Sequence, residues 1–405
     1  MNRVVARAAA ILATFVALQA CAPLPRLAAV PQTQTARAIV PGFANCRYWL
    51  DEDFPALVQE ALADDRRERA ALVQLGISTD PMPPAYVLAI SGGGDAGAFA
   101  AGLLAGWSAQ GTRPQFRLVT GVSAGALIAP FAYLGPSYDD VIRTVATSVG
   151  PNDVFDRRNA LAGLASDGMA DSRPLAGLVA KYITADTLAA IATEYAKGRA
   201  LQIATTDLDS GRPVIWNMGA IAASQTPGAL QLFRKIMVAS ASIPGVVSPV
   251  LFDVEVDGQH YQEMHVDGGV IAQTYVYPRH IFEEWARATG KPFKREIHVY
   301  VVLNGRMLPE WAATKRRTLA IGNRAIRTLV QAQGIADVDR IYTTALEDGI
   351  DFNLAYIGAD FTYPHAEEFD NTFMKQLYDY AYSLAVSDKA WHKTPPSETK
   401  GKPGE

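Results

Sequence analysis

The sequence predicts an α/β fold in which helices cover both faces of a mostly parallel central sheet. Two observations predict it. An apolar strand, a glycine-rich turn and a small-residue helix follow one another over residues 86–109, and the same order returns at once from residue 116. Strand–turn–helix units in succession make a parallel sheet, because each helix carries the chain back over one face before the next strand begins. The composition agrees: 49% of the 405 residues are hydrophobic and 19% charged, enough apolar material for one large domain or two small ones.

The same numbers narrow the function classes. A formal net charge of −4 provides no basic excess for a nucleic-acid partner. Cys21 and Cys46 are the only cysteines, so a disulfide-stapled scaffold is excluded. Neither a metal site nor a cofactor is expected from any cluster in the chain.

At the start, Arg3 and Arg7 precede an apolar run from Ala8 to Leu18. A membrane-spanning helix needs about 20 apolar residues, so this shorter run reads as an export signal, residues 1–20. It ends in Leu18-Gln19-Ala20-Cys21, which resembles a bacterial lipobox. That resemblance implies lipidation of Cys21. With Ala22 following, it also implies sorting to the outer membrane, facing the periplasm of a bacterial cell envelope. A plainer alternative is ordinary secretion with cleavage after Ala20. Residues 21–50 then read as an extended tether, because Pro23, Pro25, Pro31 and Pro41 stand among few large apolar side chains. A helical extension fills residues 51–80, with Leu57, Val58, Ala61 and Leu62 at helical spacing and Asp53 as its start signal.

The main domain is expected over residues 81–390. Its first unit is the strand Tyr86–Ile90, the turn Ser91-Gly92-Gly93-Gly94-Asp95-Ala96-Gly97 and a helix from Ala98 to about Ala109. Bare glycine amides there can cradle an anion, either a phosphate or the oxyanion of an acyl-transfer intermediate. Gly92, Gly94 and Gly97 also satisfy the dinucleotide pattern. The second unit is the strand Phe116–Thr120, the turn Gly121-Val122-Ser123-Ala124-Gly125 and a helix from Ala126. Gly-x-Ser-x-Gly between strand and helix is a nucleophile elbow, where glycines two positions either side let the backbone turn sharply and present the serine. The elbow decides against the nucleotide reading, which has no use for an exposed serine on a second turn. Further strands are expected at 200–206, 213–217 and 297–303. A helix is expected at 231–240, and a hairpin at 255–266 turning on Asp257-Gly258. Asp267-Gly268-Gly269 closes that hairpin. The chain from Trp391 to residue 405 carries Pro395, Pro396 and Pro403 and is expected to be disordered.

Together the glycine loop, the elbow and the distant Asp267–Gly268 pair resemble the patatin-like phospholipase family, which shows these three pieces in this order. Two weaker echoes lie between them: Thr205-Thr206-Asp207-Leu208 with Gly211, and Val238-Ala239-Ser240-Ala241-Ser242-Ile243-Pro244. The resemblance implies a three-layer α/β/α patatin-like fold. It also implies a serine acyl-hydrolase that cleaves carboxylic esters of lipids, with membrane lipids or lipid esters as substrate. Ser123 would be the nucleophile and Asp267 its base, with no histidine. The oxyanion would rest on amides of Gly92, Gly93, Gly94 and Ala124, and Gly97, Gly121, Gly125 and Gly268 would be motif glycines. One departure stands out: the family's loop often carries Lys or Arg just before its last glycine, and here that position is Ala96, preceded by Asp95.

Rival readings remain at the level of sequence. Glu263, His265 and Asp267 alternate, so on a strand they share one face; His265 could then be the base and Asp267 its orienter, as in a Ser–His–Asp triad. A standard α/β-hydrolase would instead draw on His280, His298 or His365. A non-catalytic envelope lipoprotein that keeps the fold is the third class. Finally, Lys315, Arg316, Arg317, Arg324 and Arg327 fall in an expected helix. They could meet anionic headgroups or simply form a solvated face.

Overall fold

Five apolar runs of the chain lie side by side and parallel, and the rest of the molecule is arranged around them. The structure, a computed structural model, describes residues 24–50, 53–154, 156–158, 166–365 and 367–399. The expected signal peptide and Cys21 therefore lie outside the described residues. The elements in chain order are β1 (Arg47–Trp49), α1 (Phe54–Gln74), β2 (Ala85–Ile90), α2 (Gly97–Gln110), β3 (Leu118–Gly121), α3 (Ala124–Leu134), α4 (Asp139–Thr147), α5 (Arg173–Tyr182), α6 (Ala185–Ala196), β4 (Ala200–Asp207) and β5 (Arg212–Asn217). They continue with α7 (Met218–Ala223), α8 (Ala229–Ser240), β6 (Val250–Val256), β7 (Gln259–Asp267), α9 (Ile281–Thr289), β8 (Ile297–Leu303), α10 (Thr318–Glu347), β9 (Asp351–Tyr356) and α11 (Asn371–Val386).

The sheet runs β1-β5-β4-β3-β2-β8-β9, with β7 also on β4 and β6 on β7. From β4 to β9 every neighbour is parallel; β1, β5, β6 and β7 are antiparallel additions. Side chains on a strand alternate between faces, and the two cores follow that alternation. Leu88, Ile90, Val302 and Ala355 pack with α2, α3 and α11. Val87, Ala89, Val299, Val301, Phe352 and Leu354 pack with Val338, Ile341 and Ala345 of α10. The result is a three-layer α/β/α fold with a mostly parallel sheet. Strands buried on both faces read as continuous apolar runs, which is why β2 and β8 were legible. The strand β9 was not, since Asp351 and Asn353 interrupt its apolar run.

The antiparallel edge sets up the site. The amino-terminal half of β4 pairs with β3, from Leu118↔Ala200 to Gly121↔Ile203. The carboxyl half pairs with β7 instead, from Thr205↔Asp267 to Asp207↔His265. So β7 enters the place beside β4 that β3 vacates, and the ends of the two strands meet head-on. The hairpin that delivers β7 turns at Asp257-Gly258 as expected, with both residues at positive φ, 51° and 79°.

Two expectations are corrected. Residues 24–45 are no free tether but lie along the β6–β7 hairpin. Arg26 forks onto Asp209 at 3.0 and 2.6 Å, Gln262 N–H donates to Ala28 O at 3.0 Å, and Ile39 exchanges backbone bonds with Glu255 at 3.0 and 2.9 Å. Val30, Ala38 and Val40 are buried beneath them. An open sheet edge needs cover, and proline-rich composition alone could not reveal that this segment supplies it. The tail is likewise ordered as far as Thr399. Trp391 packs at a tilt against Trp107 and edge-on to Tyr300, with centroids 4.7 and 4.8 Å away, and His392 pairs with Leu354 along the edge of β9. Among the described residues, no single helix is long and apolar enough to cross a membrane.

Candidate active site

The turn after β3 places Ser123 at φ 55° and ψ −122°, a backbone state that costs a side-chain-bearing residue energy and marks a functional constraint. The elbow closes this tightly because it has glycines at its shoulders: a Cβ on Gly125 would fall on the Ile90 carbonyl, and one on Gly121 on the Gly125 carbonyl at 2.6 Å. Ser123 N–H donates to Ser240 Oγ at 3.1 Å, and Ser240 Oγ donates on to Ala204 O at 2.7 Å. The serine is 7% exposed, at the floor of a cleft.

Asp267 ends β7 and faces this turn. Its N–H donates to Ser242 O at 2.9 Å, and its Oδ1 accepts Gly269 N–H at 2.7 Å. The carboxyl is buried, which pushes it up to about 6; hydrogen bonds from the Ser123 hydroxyl and the Gly269 amide act in the opposite direction. Desolvation disfavours the charged form, and donors favour it. The structure thus brings together Ser123 and Asp267, which stand far apart in sequence. Ser240 and Ser242, from the Ala-Ser-x-x-x-Pro echo, hold the backbone of one each; their alignment was visible in the sequence, their role was not.

The glycine loop crosses beside them. The amides of Gly93, Gly94 and Ala124 have no hydrogen-bond acceptor among the described residues, and an unpaired amide at a site is available to an anion. Gly92 does not join them: its N–H donates to Gln273 O at 3.0 Å. That overturns its expected role as an oxyanion donor. Gly92 is instead the loop's anchor and its point of closest approach to Ser123, whose Cβ lies 3.1 Å from where a Gly92 Cβ would be. Gly93, at φ 153°, lies against the Asn304 carbonyl, so a side chain there would be doubly excluded. Gly97 opens α2 against Ala124, and Gly268 begins the turn after Asp267 against Ala204 O.

Residues with no sequence signal brace this loop. Asn304, the first residue after β8, accepts Ala100 N–H at 3.0 Å and donates to Ser91 O at 2.9 Å. Gln273 Nε2 donates to Gly269 O at 2.7 Å, and Asp337 of α10 accepts Gln273 N–H at 2.6 Å. Asp95 accepts His365 Nε2–H at 2.7 Å and Phe369 N–H at 2.8 Å. This ties the glycine loop to the segment that walls the cleft. The cleft measures about 660 Å³ counting its open mouth, and its walls are apolar, including Leu127, Ile128, Val145, Leu175, Ile243 and Met374.

Among the described residues, none of the histidine rivals has a hydrogen bond to Ser123 or Asp267. His265 is fully buried, with Nδ1 on Thr205 Oγ1 at 2.8 Å and Nε2 on Glu263 at 3.2 Å. Glu263 is in turn gripped by the buried Arg47. Burial would raise the Glu263 carboxyl, but Arg47 and His265 outweigh it and hold it at about 2. His280 pairs with Glu283, His298 with Asp351, and His365 with Asp95. Cys46 is buried, its thiol pushed up to about 11 by that burial, which makes it unreactive. Among the described residues, no group of three or more His, Cys, Asp or Glu side chains is arranged to hold a metal ion.

No curated protein matches this chain significantly. Among solved structures, VipD from Legionella pneumophila aligns at 11% identity and a TM-score of 0.36, over 76% of this chain and 67% of that one. The type III effector protein ExoU aligns at 12% identity and a TM-score of 0.27, over 78% of this chain and 56% of that one. Residues 88–278, the segment that holds the glycine loop, Ser123 and Asp267, match the family model described as Patatin-like phospholipase.

Proposed function

We propose that the chain is a serine acyl-hydrolase that cleaves carboxylic esters of lipids through a Ser123–Asp267 dyad. The observation that supports this most is the placement of the Asp267 carboxyl beside the Ser123 hydroxyl in a site whose burial pushes that carboxyl up to about 6. In the ionised form Asp267 takes the hydroxyl proton as Ser123 Oγ attacks the ester carbonyl. The oxyanion is held by the amides of Gly93, Gly94 and Ala124. Collapse breaks the bond to the leaving alcohol, which takes the proton from Asp267. Water then adds to the acyl-serine, giving a proton to Asp267; collapse breaks the bond to Ser123 Oγ, which takes that proton back from Asp267 as the fatty acid leaves. The apolar cleft suits an acyl chain, and the Patatin-like phospholipase match agrees with a lipid ester.

The test is hydrolysis of phospholipid vesicles beside labelling with a fluorophosphonate. Ser123→Ala is expected to lose both with an unchanged circular dichroism spectrum, and turnover should fall at least a thousandfold. A label on another residue, or full activity in Ser123→Ala, sinks the reading and leaves a non-catalytic protein of this fold as the alternative.

The same proposal places the enzyme on the outer membrane, facing the periplasm, by acylation at Cys21. The mature protein should begin at an acylated Cys21 by mass spectrometry, and Cys21→Ser should move it to the soluble fraction. Cleavage with an unmodified Cys21 would refute the anchor and leave the hydrolase reading intact.

A further inference from the structure

The helix α10 is longer than the sheet it covers. Its second half packs on the sheet through Val338, Ile341 and Ala345. Among the residues whose burial is described, Gly334 is the first buried one in this helix, and it lies against Leu303, the last residue of β8, and against Gln273 beside the site. The sixteen residues from Thr318 to Gln333 therefore extend beyond the carboxyl edge of the sheet by about 24 Å at 1.5 Å per residue. Ser123 and the glycine loop open at that same edge. The outgoing chain climbs alongside: Gln331 donates to Leu308 O at 2.7 Å, and Arg324 donates to Glu310 O. The two halves form an arm rooted at Asn304, the residue that braces the glycine loop.

The arm has an unusual surface. Trp311 at its tip is 90% exposed, and Ile321, Ile326 and Leu329 are 51%, 57% and 69% exposed. Residues 311–330 carry Lys315, Arg316, Arg317, Arg324 and Arg327 and no acidic residue, in a chain whose net charge is −4. Arg327 meets Glu368 at 3.2 Å across solvent, and Glu310 just below the tip pairs with Arg306. Lys315, Arg316 and Arg317 pair with no carboxylate among the described residues. An exposed tryptophan and aliphatics beside unpaired cations fit an anionic headgroup layer over acyl chains. A second copy of the arm fits poorly, since two like-charged tips repel.

We infer that this arm docks the protein on anionic phospholipid bilayers and holds the cleft mouth against the lipid surface. The inference rests on the hydrolase reading only in taking the substrate to lie in a bilayer. Each basic residue near an anionic surface strengthens partition about fivefold, and the effect fades with salt.

Full-length chain carrying Cys21→Ser and Ser123→Ala in every arm of the experiment separates docking from acylation and turnover. Co-sedimentation with vesicles of phosphatidylcholine and phosphatidylglycerol in equal parts should exceed that with phosphatidylcholine alone and fall at high salt. Lys315→Gln, Arg316→Gln and Arg317→Gln together should weaken it about a hundredfold, and Trp311→Ser should weaken it at either salt. With Ser123 restored, the triple variant should keep its turnover of a water-soluble short-chain ester and lose turnover on anionic vesicles. Equal binding to both vesicle types, or binding indifferent to these substitutions, overturns the inference. So does a concentration-dependent dimer that Leu329→Glu abolishes, which would make the face a contact between copies. Anionic-specific binding with neither ester turned over would sustain the docking surface while removing the hydrolase reading.

Discussion

Asp267 carries the chemistry most exposed to a solution test. Its folded-state carboxyl titrates at about 6, against an ordinary value of 3.8, because burial penalises the charge. Only the ionised form can accept the Ser123 proton, so kcat/KM should rise with pH and level off above a midpoint near 6. A profile flat between pH 5 and 8 would contradict an Asp267 base. The same displacement acts on stability with the opposite sense. A carboxyl raised on folding favours the native state when protonated, and this contribution disappears as pH climbs from about 4 through 6, amounting to about 3 kcal/mol. Asp267→Asn should therefore melt higher than the parent at neutral pH while losing turnover. That pairing of gain and loss is expected where burial is kept for function.

At the scale of elements, the register of β7 on β4 decides which carboxylate meets Ser123. Alternation alone made His265 and Asp267 equivalent partners for the site. The pairing Thr205↔Asp267 at the strand's end gives Asp267 to the elbow and leaves His265 in the network of Thr205, Glu263 and Arg47. That network spans 216 positions from Arg47 to Glu263 and pins β1 to the hairpin. Glu263→Gln should cost about 3–5 kcal/mol, since it strands a buried guanidinium. His265→Gln should lower the melting temperature yet leave kcat of the folded protein within tenfold. A folded His265→Gln protein without turnover would restore the triad reading. The glycine loop is fixed in the same indirect way, by Asn304 just after β8, by Gln273 in the loop after β7, and by Asp337 of α10, which holds Gln273.

For the whole molecule, the segments outside the parallel sheet are clasps. Residues 24–45 close the hairpin that carries Asp267, and Trp391 with His392 closes the far edge at β9. Deleting residues 22–45 removes burial at Val30, Ala38 and Val40 and the Ala38 carbonyl that Arg47 grips. A loss of about 4 kcal/mol is expected from the apolar burial, with Asp267 and hence turnover affected more than bulk helicity. An undiminished melting temperature in that deletion would show the strap to be idle.

The order of chemistry along the chain was set by the sequence itself. Two strand–turn–helix units, a serine between glycines and an Asp-Gly pair at a strand end follow from short-range sterics, because tight turns and continuous apolar runs leave local signatures. Tertiary structure alone decided the rest. Which carboxylate reached Ser123 depended on the point where β3 stops and β7 takes its place. Which glycine amide stayed open depended on Gln273 arriving to occupy Gly92. Whether proline-rich ends float or bind depended on sheet edges that they cannot signal. Such outcomes rest on pairings between residues tens to hundreds of positions apart, and only the folded chain brings those partners within reach.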